Sequence, residues 1–116
     1  MTRALAAFAA LAIVGALAPA MAGAGAGPTR TVTVHDDYFS PSKLTVKSGT
    51  TIKWMWPSGL TGTHDVMLDK HPRGVKPFMS DYAAGSYSFK RKLVKPGTYA
   101  FLCDLHQGMT MKIVVR

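Results

Sequence analysis

Towards its C-terminus the chain reads Gly97-Thr98-Tyr99-Ala100-Phe101-Leu102-Cys103-Asp104-Leu105-His106-Gln107-Gly108-Met109-Thr110-Met111-Lys112-Ile113-Val114-Val115-Arg116. Two alternating runs flank a polar turn. In the first, Tyr99, Phe101 and Cys103 share a face; in the second, Met111, Ile113 and Val115 alternate against Lys112 and Val114. Side chains of a strand point to opposite faces with period two, so both runs read as half-buried strands. The same pattern continues upstream. Thr31 to His35 places Val32 and Val34 together, Leu44 to Lys47 is stopped by Ser48-Gly49, and Thr50 to Trp56 sets Ile52, Trp54 and Trp56 against Lys53 and Met55. His64 to Leu68 puts His64, Val66 and Leu68 on one face, and Ser86 to Leu93 puts Tyr87 and Phe89 on one side. Asp69 to Ala84, with two Pro, a Gly and mixed charges, reads as a long loop crossing between sheets. No stretch carries helical periodicity with caps. About seven to eight short strands with regular turn signals predict an all-β antiparallel sandwich of Greek-key type.

The turn inside the opening stretch carries the chemistry. Cys103 is the only cysteine of the 116 residues, so there is no intramolecular disulfide, and a lone thiol in an oxidising compartment is a liability unless something occupies it. His106 follows three residues later and Met109 three after that. The strand aims Cys103 at the core, and the turn lets His106 and Met109 reach the same point. A second imidazole is needed from elsewhere, and His64 leads a strand on the face of Val66 and Leu68. Two imidazoles, a thiolate and a thioether form the ligand set of a blue-copper site, with soft sulfurs for Cu(I) and imidazoles for both oxidation states. His35 and His71 have no cysteine nearby and read as solvated side chains.

Arg3 precedes an apolar, Ala-rich run from Ala4 to Leu17, and Pro19 and Ala20-Met21-Ala22 follow. This is the pattern of an export signal over residues 1–22 with cleavage after Ala22. The run is short for an uncleaved membrane anchor, and Pro19 breaks its end. Residues 23–30 read as a flexible Gly/Ala leader, and residues 31–116 as the domain. The full chain carries 14 Lys+Arg against 6 Asp+Glu. Loss of Arg3 leaves a net charge of about +7 with His neutral. The basic cluster Lys90-Arg91-Lys92 has no interleaved aromatic residue, so a solvated face is expected in place of nucleic-acid binding.

In this order the motifs resemble the small cupredoxins of the plastocyanin/azurin family. Asp37 to Gly49 resembles their first two strands. Thr51-Ile52-Lys53-Trp54 followed by His64-Asp65-Val66 resembles their next strand and ligand segment, and Pro96-Gly97-Thr98-Tyr99 leading into Cys103 resembles their penultimate strand. The resemblance implies a β-sandwich, one-electron transfer, and one type 1 copper held by His64, Cys103, His106 and Met109. The ligand loop is similar to the short amicyanin type. Met111 stands at the longer plastocyanin and pseudoazurin spacing, and Met109 is favoured because Ile113 and Val115 then fall where the family places its last strand. Met111 then occupies the usual Gly position. Asp65 stands where the family often has Asn, Ser or Thr, and Trp56 where many relatives have a small polar residue.

These readings predict an exported protein (periplasmic, cell-envelope or extracellular), monomeric and not inserted in a membrane, that carries single electrons. Leu105, Gln107 and Gly108 would form a contact patch around His106, and the positive charge would select acidic redox partners. A copper carrier or chaperone that delivers the ion without redox cycling uses the same ligands and stays open. Four histidines in all are too few for a multicopper oxidase, nitrite reduction would need a second copper domain, and a structural zinc site would draw a second cysteine.

Overall fold

The computed structural model describes residues 27–116. Expectations for residues 1–22 and for the leader up to Ala26 lie outside the described residues. Eight strands occur among them: β1 (Thr29–His35), β2 (Tyr38–Ser40), β3 (Lys43–Val46), β4 (Thr50–Trp56), β5 (Met67–Lys70), β6 (Tyr87–Leu93), β7 (Gly97–Leu102) and β8 (Thr110–Val115). They form two four-stranded sheets in the orders β2-β1-β4-β6 and β3-β8-β7-β5. The all-β sandwich follows from the period-two pattern. Thr50, Ile52, Trp54 and Trp56 of β4 all point inward and are buried, as do Met111, Ile113 and Val115 of β8.

Between the sheets, Trp54 packs at 5.0 Å centroid distance from Phe101 and 5.8 Å from Phe89. Val32, Val34, Phe39, Tyr99 and Ile113 complete the centre of the core. Burial of so many aromatic and branched side chains is the main favourable term holding the sheets together.

Not every pairing is antiparallel. β1 runs parallel to β4, and β3 parallel to β8. Alternation tells which face a residue takes but is blind to strand direction. Here β3 lies in the other sheet, so the chain returns as β4 in the same sense as β1. β1 also starts two residues before Thr31, because Thr29 and Arg30 pair with Thr51 and Ile52.

The strand expected over His64 to Leu68 begins only at Met67 and continues to Lys70, with a register shift between Leu68 and Lys70. Upstream of Met67, His64 pairs instead with Ala83 as an isolated bridge. The segment after β5 therefore doubles back alongside the His64 segment. The ends of β1, β4 and β7 and the starts of β5, β6 and β8 gather at one end of the sandwich. The site is built on the connections there. Among the described residues, no helix is long and apolar enough to cross a membrane.

Candidate metal centre

Backbone contacts on either side fix His64. The Trp56 indole Nε1–H donates to the His64 carbonyl at 3.1 Å, and His64 exchanges two backbone hydrogen bonds with Ala83 at 2.9 and 3.0 Å. Two residues on, the Val66 N–H donates to Ser80 Oγ at 2.9 Å. Trp56, which stands where a small polar residue is usual in the resemblance, thus packs against Tyr87 and holds the backbone of His64. The His64 side chain is fully buried. Its Nε2 lies 2.7 Å from Asp36 Oδ1, while its Nδ1 faces the other way, 3.1 Å from Nδ1 of His106.

The second half of the site is the loop between β7 and β8. The Cys103 N–H donates to the Met109 carbonyl at 2.9 Å, which closes the loop into a ring. Weaker turns run from the His106 N–H to the Cys103 carbonyl (3.4 Å) and from the Met109 N–H to the His106 carbonyl (3.3 Å). Gly108 supplies the left-handed residue, with φ of 81° and open space where a Cβ would stand. Cys103 and Met109 are buried, and Cys103 Sγ lies 3.5 Å from His106 Nδ1. The side chain of His106 remains 32% exposed. Asp65 joins the two halves, since its Oδ1 accepts the Asp104 N–H at 2.7 Å. Its other oxygen is buried without a hydrogen-bond partner.

Among the described residues, His64, Cys103 and His106 form a cluster whose donor atoms all lie within 4.8 Å of one another. Two imidazole Nδ1 atoms at 3.1 Å and a thiol beside them face a common point. Lone pairs so placed repel unless a proton or a cation lies between them. Burial pushes the Cys103 thiol up, and a bound cation is what would favour its thiolate. The donor set therefore fits a soft-to-borderline metal ion, and copper(I)/copper(II) in particular. His35 stacks on Tyr38 at 4.4 Å, and His71 Nδ1 sits 2.9 Å from the Pro72 carbonyl; neither joins the cluster.

The two methionines differ in what they touch. Met111 lies on β8 with its sulfur 3.3 Å from Trp54 Nε1, inside the sandwich. Met109 sits at the end of the ring that also contains Cys103 and His106.

Asp36 and Asp37, in the β1–β2 turn, are site residues that the sequence reading misses. Asp36 meets the buried imidazole, and Asp37 Oδ1 lies 3.7 Å from Nε2 of His106. Hydrogen bonds hold the Asp36 carboxyl well below the usual carboxylate range, the Thr61 backbone N–H contributing most and His64 next. A signal existed, because ligating imidazoles usually give their second N–H to a carboxylate or carbonyl. Asp36-Asp37 is the one acidic pair in the sequence.

Residues 27–116 match the family described as copper binding proteins, plastocyanin/azurin family. The chain belongs to the plastocyanin/azurin family. A plastocyanin from Scenedesmus fuscus is 34% identical over 80 residues, covering 64% of this chain and 80% of the relative. Among solved structures, a reduced amicyanin variant superposes with a TM-score of 0.66 at 22% identity, over 76% of this chain and 82% of that one. The copper-containing nitrite reductase from Thermus scotoductus superposes with a TM-score of 0.63 at 26% identity, over 78% of this chain but only 22% of that one. As a cupredoxin with a His-Cys-His cluster, the protein takes one copper ion.

Proposed function

We propose that this cupredoxin is a type 1 copper electron carrier, with His64, Cys103, His106 and Met109 as its ligands. The observation that carries the reading is the convergence of three donor atoms within 4.8 Å at a site where His106 keeps an edge in solvent. When bound, the copper supplies a one-electron couple. The residues supply the rest. Cys103 presents its sulfur from the end of β7, and His64 presents Nδ1 from a fully buried, backbone-pinned segment. Met109 provides a weak thioether from the end of the ring, a position that Met111 is ill placed to share because its sulfur accepts from Trp54. The connections that carry the donors are tied by backbone hydrogen bonds, Cys103 to Met109 and His64 to Ala83, an arrangement suited to one geometry for both charge states of the site.

His106 gives the electron its short way out, with exposed Leu105 and the neighbouring Gln107 and Gly108 around it. A patch of that size suits small, transient contacts with redox partner proteins. The net charge favours acidic partners at long range, while Asp37 beside His106 opposes them at short range. Arg3, the apolar run to Leu17 and Ala20-Met21-Ala22 support export to the periplasm, cell envelope or extracellular space, with residues 1–22 removed. The plastocyanin relatives support a carrier role over an enzymatic one, and the nitrite reductase shares this fold over 22% of its own chain.

The test is an optical and EPR titration with one equivalent of Cu(II). An intense visible thiolate-to-copper band is expected, and Cys103→Ser should abolish it. A colourless Cu(II) form of the unmutated protein overturns the proposal. Reversible reduction without metal loss is the electron carrier's behaviour. Net transfer of copper to a copper-free acceptor, without redox cycling, would reassign the protein as a copper carrier.

A further inference from the structure

We propose that Asp36 is the positioning residue for His64, fixing its tautomer and setting its electron donation to the metal. The proposal rests on the reading of His64 as a copper ligand. Its geometry stands by itself. The turn after β1 brings Asp36 across to the connection between β4 and β5, where Oδ1 reaches His64 Nε2 at 2.7 Å. Both carboxylate oxygens are then clamped by that connection. Oδ2 accepts from the Thr61 N–H at 3.0 Å and the Thr61 hydroxyl at 2.9 Å, and Oδ1 accepts from the Gly62 N–H at 3.0 Å. Four donors surround one carboxylate, and three of them come from residues two or three positions before the histidine it holds.

Gly62 makes the approach possible. A Cβ there would stand 3.3 Å from His64 Nε2 and 3.4 Å from Asp36 Oδ1, tighter than ordinary contact, so a side chain would push on both partners of the hydrogen bond. The imidazole has two nitrogens, and a carboxylate can only accept. Asp36 therefore holds the proton on Nε2 and leaves the Nδ1 lone pair directed at Cys103 and His106. A carboxylate behind a ligating imidazole also raises its basicity and favours the more positive metal ion. The pairing at His106 is weaker. Asp37 stands 3.7 Å from its Nε2 and is 78% exposed, so solvent screens that pair. The two imidazoles are thus unequal, one locked from behind and one able to respond at the surface.

The experiment compares Asp36→Asn, Asp36→Ala and Gly62→Ala with the unmutated protein in two states. In the copper-free protein, ¹⁵N NMR of the His64 ring should show Nε2 protonated and Nδ1 bare. Asp36→Asn retains an acceptor oxygen and should keep that tautomer, whereas Asp36→Ala should let the proton redistribute. In the copper-loaded protein, both Asp36 variants should show a raised reduction potential, through loss of the negative charge. Asp36→Ala should also lose about 10- to 100-fold in copper affinity, the usual effect of removing such a support, with Asp36→Asn restoring most of it. Gly62→Ala keeps the carboxylate and should shift the ring resonances of His64 with little change of potential.

An unchanged tautomer in Asp36→Ala, or an unchanged potential in Asp36→Asn, overturns the proposal. Should Asp36→Ala not fold, the tautomer of the unmutated protein and the potential of Asp36→Asn decide. If the unmutated protein gives no thiolate band, the copper reading has failed, and the copper-free NMR still reports whether the clamp exists.

Discussion

Met109 and Met111 are two residues apart, both buried and both thioethers, yet their surroundings assign them different work. The sulfur of Met111 accepts the indole N–H of Trp54 at 3.3 Å, and Trp54 is itself fully buried between the sheets. Replacing Met111 by Leu keeps the volume, a swap that usually costs under about 1.5 kcal/mol. It also leaves a buried N–H without a partner, and that costs on the order of 1–3 kcal/mol. Met111→Leu should therefore lower stability in a denaturant titration by about 2 kcal/mol, with the visible spectrum and potential nearly unchanged. Met109→Leu lies in the ring with Cys103 and His106 and should do the opposite. It should raise the potential by removing a weak donor to the metal, with little loss of stability. A shift of potential confined to Met111→Leu would move the thioether ligand role to that residue.

At the scale of a strand, β7 joins the core to the site, and its two ends behave differently with pH. Cys103 follows its last residue, whereas Tyr99 lies near its start, buried, with its hydroxyl donating to the Lys95 carbonyl at 2.6 Å. Burial raises the Tyr99 pKa above its ordinary 10.0. The folded state thus holds its proton more tightly than the unfolded chain does, so this contribution is complete below pH about 10 and is lost as pH rises beyond it. Chemical denaturation between about pH 9 and pH 12, a range that brackets the ordinary tyrosine pKa, should show a steeper loss for the unmutated protein than for Tyr99→Phe. Equal slopes would mean that Tyr99 is not the group responsible. The tyrosine's burial was legible in the sequence, since Tyr99, Phe101 and Cys103 alternate inward on one strand. The same alternation assigns β1, β4 and β8 their inner faces and aims Cys103 correctly. It could not show that β1 and β4 run parallel, because period two is the same in either direction. Nor could it show why His64 stands where it does. His64 lies outside any long strand, held by Trp56, Ala83 and Asp36, and its contact with Asp36 spans 28 residues that no local pattern connects.

Across the whole molecule the charge is strongly uneven, and this decides how its net value should be read. The segments 36–42, 57–66, 79–88 and 103–111 make up the end that holds the metal centre. They contain no Lys or Arg, but they contain Asp36, Asp37, Asp65, Asp81 and Asp104. All 13 basic residues of the described region lie elsewhere, on the strands and the opposite end, leaving Asp69 as the sole aspartate among them. An ion approaching His106 therefore meets carboxylates first and lysines farther away. Screening sets which it feels. At about 0.01 M ionic strength the screening length is about 30 Å, long enough for the whole positive surface to act, whereas at about 0.1 M it is about 10 Å and only nearby charges count. Two small inorganic oxidants of opposite charge, hexacyanoferrate(III) and a cationic cobalt(III) complex, separate the contributions under stopped flow. The anionic probe should lose its advantage as salt rises from about 0.01 to about 0.1 M, and the cationic probe should gain relative to it. Asp37→Asn and Asp104→Asn should then favour the anionic probe at about 0.1 M, whereas Lys90→Gln and Lys112→Gln should be felt only at low salt. Were the net charge alone in control, the anionic probe would stay ahead at both ionic strengths and the aspartate variants would matter no more than the lysine ones. Under that outcome, acidic partners could approach His106 directly. Under the expected one, an acidic partner is drawn in by the far side of the molecule and meets repulsion at the metal end.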